Sequence, residues 1–114
     1  MADKPVRREP RYPLRISAEL RIQGQAVTGI TRNLSAGGVC VEIDRPIKEG
    51  VPVQLTLFVV EDDVEAAFGT SLEVNGTVQW TAEADRGYAT GIKFGTLSPQ
   101  HQAAIERAIK QAGG

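Results

Sequence analysis

The chain has 114 residues, of which 41% are hydrophobic and 24% charged, with a formal net charge of -1. That length suits one domain around a single small core. The near-neutral balance gives the chain as a whole no signature of a nucleic-acid or membrane binder. A single cysteine, Cys40, excludes an internal disulfide. No apolar run is long enough to span a bilayer, and the opening "MADKPVRREPRYPLR" has no stretch resembling a signal peptide. The expectation is a cytoplasmic protein in a reducing compartment, with no membrane insertion.

Charge is unevenly placed. Residues 1–25 carry a net +3, from Lys4, Arg7, Arg8, Arg11, Arg15 and Arg21 against Asp3, Glu9 and Glu19, so the rest carries -4. A basic head on an acidic body points to an anionic partner near the N-terminus. Residues 1–12 are polar and proline-punctuated. Pro5, Pro10 and Pro13 disfavour helix at the residues before them, so a flexible, extended arm is expected there.

From Leu14 the chain alternates. Leu14, Ile16, Ala18, Leu20 and Ile22 face one way and Arg15, Ser17, Glu19, Arg21 and Gln23 the other, which predicts a half-buried strand. Gly24 turns the chain into a second strand over Ala26 to Arg32. After the loop "NLSAGG", Val39, Val41 and Ile43 alternate with Cys40, Glu42 and Asp44, which makes Cys40 a buried, inert thiol. "RPIKEG" is a loop, and Val51, Val53, Leu55, Leu57 and Val59 mark the next strand. "EDDVEAAFG" is an acidic exposed connection. Leu72, Val74, Val78 and Trp80 mark a long strand from about Thr70 to Ala82, with Asn75-Gly76 as a bulge inside it. "EADRG" turns, and Tyr88 to Phe94 forms the last strand. A helix follows over 98–112, with Ser98 as N-cap, Pro99 as first helical residue, Gly113 as the stop, and an apolar stripe of Ala104, Ile105, Ala108, Ile109 and Ala112. Six strands and one terminal helix predict an all-β fold: a six-stranded antiparallel, Greek-key-like small barrel over 13–114 with a C-terminal α-helix.

The residues argue against an enzyme. The single histidine, His101, sits in the first turn of the helix, where no Ser, His and Asp set forms around it. The acidic run Glu61, Asp62, Asp63 and Glu65 lacks the spacing and glycine of a calcium loop, so no metal site is expected.

Two segments suggest binding instead. Arginine matches phosphate and the guanine edge with paired hydrogen bonds, and its flat face stacks on bases. On an extended arm, Arg7 and Arg11 span roughly 13 Å, enough to embrace a small nucleotide. The loop supplies the complement. Asn33 and Ser35 offer hydrogen-bonding side chains. Gly37 and Gly38 permit positive φ and close approach of a ligand to the backbone. Each of these residue types also occurs in turns for local reasons.

In combination the segments resemble the PilZ domain family. "RREPR" from Arg7 to Arg11, followed by "RYPL", is similar to its RxxxR motif. "NLSAGG" fits [D/N]xSxxG at Asn33, Ser35 and Gly38. "GTVQW", "GYATGIKF" and the final "LS" with its helix extend the likeness from about Arg7 to Ala112. The resemblance implies a six-stranded barrel that acts as a receptor for the bacterial second messenger cyclic di-GMP. Arg7 and Arg11 would grip guanines and phosphates with help from Arg8, and Asn33, Ser35 and Gly38 would contact the other side. Trp80 falls where some members keep an aromatic beside the ligand, although its alternation suits a core or rim position equally. Val6, where members that take an intercalated ligand pair often have arginine, favours one ligand per domain. With no second domain for output, the implied role is a stand-alone adaptor, a monomer or weak dimer that changes its surface for an effector protein in motility, biofilm or related behaviour. Two alternatives stay open: a PilZ-like scaffold working through protein contacts alone, and a small β-barrel binding single-stranded nucleic acid. The second wants exposed aromatics that this chain largely lacks.

Overall fold

Alternating side chains make strands, and the chain folds almost wholly into them. The computed structural model describes residues 11–59 and 70–111. Along the chain run β1 (Tyr12–Pro13), β2 (Ser17–Ile22), β3 (Gln25–Leu34), β4 (Gly38–Ile43), β5 (Pro52–Val59), β6 (Thr70–Ala84), β7 (Gly87–Phe94) and α1 (Pro99–Gln111). Every strand pair is antiparallel. β2 to β7 lie in the order β3-β2-β5-β6-β7-β4, and β4 pairs back onto β3. This is the expected six-stranded closed barrel, and closure removes the exposed edges that short strands would present. Its Greek-key element is the return of β5 to lie beside β2 after the β2-β3-β4 meander.

Inward-facing residues fill the barrel. Leu20, Leu34, Val39, Val41, Leu55, Leu57 and Val78 are among the largest side chains removed from solvent. Burying each contributes about 1.5–3 kcal/mol relative to leaving it exposed. The helix joins the same core through Ile105 and Ala108. Its start is as expected, because the Ser98 Oγ accepts a hydrogen bond from the His101 amide at 3.1 Å. Ala112, the last residue of the predicted stripe, lies outside the described residues, as does the acidic segment around Glu61 to Glu65.

Three local expectations are corrected. Of the strand predicted from Leu14 to Gln23, only Ser17–Ile22 is strand, as β2, and the short β1 lies before it at Tyr12–Pro13. Between them the buried Thr31 hydroxyl accepts from the Ile16 amide at 3.0 Å and donates to the Leu14 carbonyl, so a side chain replaces part of the ladder. Gln23 belongs to the turn, not the strand. It and Gly24 take φ values of 51° and 85°, as in the two-residue turns whose twist matches a β-hairpin. Asn75-Gly76 is not a bulge, since both residues pair in regular register with Gln54 and Val53. Gly76 is needed there for space: a Cβ would meet the Ile92 Cγ2 and the Lys93 carbonyl oxygen, each at 2.7 Å.

Candidate functional site

Two strand bulges build one face of the barrel. In β3, Thr31 lies opposite Val41 and Asn33 opposite Cys40, so Arg32 is an extra residue. In β6, Val78 lies opposite Ile92 and Trp80 opposite Gly91, so Gln79 is extra. A bulge reverses the alternation that follows it. Without these two residues, Asn33 would share the inward side of Thr31, and Trp80 that of Val78. With them, both turn outward. They become the ends of a single cross-strand row, Asn33–Cys40–Gly91–Trp80, that crosses β3, β4, β7 and β6.

Arg11 closes the Asn33 end of the row. Its Nη1 donates to Asn33 Oδ1 at 2.9 Å, and β1 holds it there by pairing Pro13 with Asn33 and Tyr12 with Leu34. Tyr12 is therefore part of the sheet rather than the arm. At the other end Trp80 is 39% exposed and packs on the bare backbone of Gly91. A Cβ at Gly91 would fall 2.2 Å from the indole Nε1.

The loop between β3 and β4 forms the adjoining wall. Ser35 is buried. Its Oγ accepts from the amides of Gly37 and Gly38 at 3.3 and 3.2 Å and lies 3.3 Å from the Gly38 carbonyl, to which it donates. One donor and two acceptor positions are all a hydroxyl has, so Ser35 spends them on the shape of the loop. The positive φ that glycine permits is not used at Gly37 or Gly38; among the described residues the glycines that have it are Gly24, Gly50 and Gly87. Gly38 is required by crowding, because a Cβ there would lie 2.4 Å from the Ile92 carbonyl oxygen.

Arg11, Ser35, Gly37, Gly38 and Trp80 together line a pocket of about 360 Å³, with Gln79, Gly91, Ile92 and Lys93 completing it. Two cations and no carboxylate stand among these residues. Sequence reasoning missed the last four. Gly91 and Lys93 lie within "GYATGIKF", but nothing in strand alternation tells which of them meets Trp80. Arg7 and Arg8 lie outside the described residues. Asn33 is half-buried beside the pocket, held by Arg11. Cys40, in the middle of the row, is buried as expected. Burial pushes its thiol pKa up, and the positive charges of Arg32 and Arg11 offset only part of that shift.

His101 belongs to the helix start, and no cluster of metal-ligating side chains occurs among the described residues. No described helix is long and apolar enough to cross a membrane.

Fold and pocket define a small antiparallel barrel with a pocket lined by two cations and a tryptophan. The PilZ domain family matches residues 5–111, and the chain belongs to it. Among solved structures it is similar to the Bacillus subtilis inhibitor of motility MotI/DgrA, at 14% identity and a TM-score of 0.78, over 95% of this chain and 52% of that one. The chain thus spans about half the length of that protein. It is also similar to the PilZ domain of YcgR from Escherichia coli, solved with c-di-GMP, at 14% identity and a TM-score of 0.73, over 93% and 90% of the two chains. A third is the PilZ domain of CeSA from a cellulose-synthesizing bacterium, at 21% identity and a TM-score of 0.65, over 90% and 96%. At these identities the likeness is one of fold. No curated protein matches the chain in sequence.

Proposed function

We propose that this domain is a receptor for cyclic di-GMP, binding it across the face that runs from Arg11 to Trp80. The observation that carries the reading is the convergence of both motifs and the aromatic on one pocket: Arg11 bonded to Asn33, the Ser35–Gly38 loop beside them, and Trp80 opposite. Its volume of about 360 Å³ falls within the usual range of small-ligand sites. The Arg11 guanidinium can make charge-assisted hydrogen bonds to a phosphate or a guanine edge, and Trp80 offers a surface for a base to stack on. Arg7 and Arg8, four and three residues before Arg11, add two further guanidinium groups to the same ligand. The PilZ domain of YcgR, similar in fold, is known with c-di-GMP.

Binding of a dianionic ligand neutralises the arginines and alters the surface around β1 and the loop. That change is what an effector protein would read. The domain acts by binding rather than by catalysis, takes one ligand at this face, and works in the cytoplasm as a monomer or weak dimer. A single-strand nucleic-acid surface is disfavoured by the position of the exposed aromatics: Phe58 lies apart from Trp80, in a depression shared with Glu19 and Glu73.

Titration calorimetry with cyclic di-GMP, with GTP as control, tests the reading. Micromolar or tighter binding that collapses in Arg11→Ala supports it. No heat and no competition at high ligand concentration overturns it, and protein capture then becomes the route to the scaffold alternative.

A further inference from the structure

Lys93 lines the same pocket as Arg11, and neither motif contains it. It lies on β7, directly across from Gly38 on β4 and Thr77 on β6. Its neighbours Ile92 and Phe94 are core residues, so Lys93 points outward, on the same face as Gly91 two residues earlier. Its approach is clear on two sides, because Gly38 and Gly91 carry no side chains. Crowding keeps them so: a Cβ at Gly38 would lie 2.4 Å from the Ile92 carbonyl oxygen and 3.4 Å from the Lys93 Cα, and one at Gly91 would strike Trp80. The cation therefore rises from a bare patch of sheet, flanked by Gln79 and Trp80.

An exposed lysine is ordinarily a solvated surface charge. Two facts set this one apart. It lines the same pocket as Arg11, with no carboxylate among the lining residues. The ion pairs among the described residues, Arg32 with Glu42 and Arg45 with Asp44, do not involve it.

We propose that Lys93 is a second phosphate anchor, so that the pocket grips a ligand carrying two phosphates through two cations, Arg11 and Lys93. This rests on the cyclic di-GMP reading above and adds to it a residue outside both motifs. An ammonium group suits the role. It is a compact point charge on a long flexible stem, able to follow a phosphate oxygen without the planar geometry an arginine requires. It also makes the site select for the second phosphate, since a nucleotide with one phosphate group engages only one of the two cations.

The test is calorimetric titration of the full chain with cyclic di-GMP at low and high salt, using wild type, Lys93→Met, Lys93→Arg and Lys48→Met. Lys48 lines a different depression, beside Arg45 and Ile47, and serves as the control for loss of one positive charge anywhere. Lys93→Met is expected to bind about tenfold more weakly, and its affinity to depend less on salt. Lys93→Arg should retain most of the affinity, and Lys48→Met should match wild type. Binding by Lys93→Met within twofold of wild type overturns the assignment of Lys93 alone, as does an equal loss in Lys48→Met. Absence of binding by wild type overturns the receptor reading, and Lys93 with it.

Discussion

Trp80 sits against the backbone of Gly91 so closely that a Cβ at Gly91 would lie 2.2 Å from the indole Nε1 and 2.3 Å from Cε2. The bulge at Gln79 puts the ring there, and the missing side chain at Gly91 makes room for it. Trp80 is the single tryptophan of the chain, so its fluorescence reports on the pocket directly. Cyclic di-GMP is expected to change the emission of the native protein in a saturable way. Gly91→Ala should displace the ring, cost about 1–3 kcal/mol of stability, and weaken that response. An emission spectrum unmoved at saturating ligand would take Trp80 out of the site.

Arg11 and Asn33 are 22 residues apart and joined by a 2.9 Å hydrogen bond. Arg11→Ala is expected to cost about 1–3 kcal/mol of ligand binding, with little change in melting temperature because the pair is only partly buried. Asn33→Ala should also weaken binding. The double variant should lose less than the sum, by about 0.5 kcal/mol or more. Strictly additive losses would show that the two side chains meet the ligand independently.

Ser35 separates two roles that the motif alone confuses. Its hydroxyl is occupied by Gly37 and Gly38, so Ser35→Ala leaves buried amides without that partner. A loss of about 1–3 kcal/mol in a urea denaturation curve is expected, with binding falling alongside. Full stability combined with lost binding would instead make Ser35 a direct ligand contact.

Cys40 gives a pH signature. Burial holds its folded-state pKa above the ordinary thiol range. The buried thiol is stable as the neutral form, so its contribution is complete below the unfolded pKa. It is lost as pH climbs from there through the raised folded value. Stability should therefore decline at alkaline pH, and less steeply in Cys40→Ala. Iodoacetamide should label the native protein slowly near neutral pH and rapidly in denaturant. Fast native labelling would contradict a thiol buried within the row.

Thr90 is fully buried, and its Oγ1 is the buried side-chain polar atom left without a hydrogen-bond partner among the described residues. Thr90→Val keeps the shape and removes the unpaired hydroxyl. It is expected to raise stability by about 1 kcal/mol, read from thermal or urea unfolding. A loss of stability would show that the hydroxyl has a partner in solution.

Most strands, the helix and the motifs are legible in the chain alone, because they follow from short-range rules. Alternation from Ser17 to Ile22 and from Val53 to Val59 marks strands that form, whereas at Leu14 to Ile16 the Thr31 side chain takes the place of the ladder. Ser98 followed by Pro99 starts a helix locally, and "RREPR" and "NLSAGG" are legible as they stand. Which side of the barrel Asn33 and Trp80 occupy is settled by how the strands pair. Alternation left Trp80 open between a core or rim position and one beside the ligand. The register shifts at Arg32 and Gln79 turned Asn33 and Trp80 outward, and a register shift is a property of two paired strands that neither strand encodes alone. The same pairing decided that Gly91 lies beneath the indole and that Lys93 stands across from Gly38. Residues 38, 80, 91 and 93 meet because β4, distant in sequence, pairs with β7 of the β6–β7 hairpin in the closed sheet.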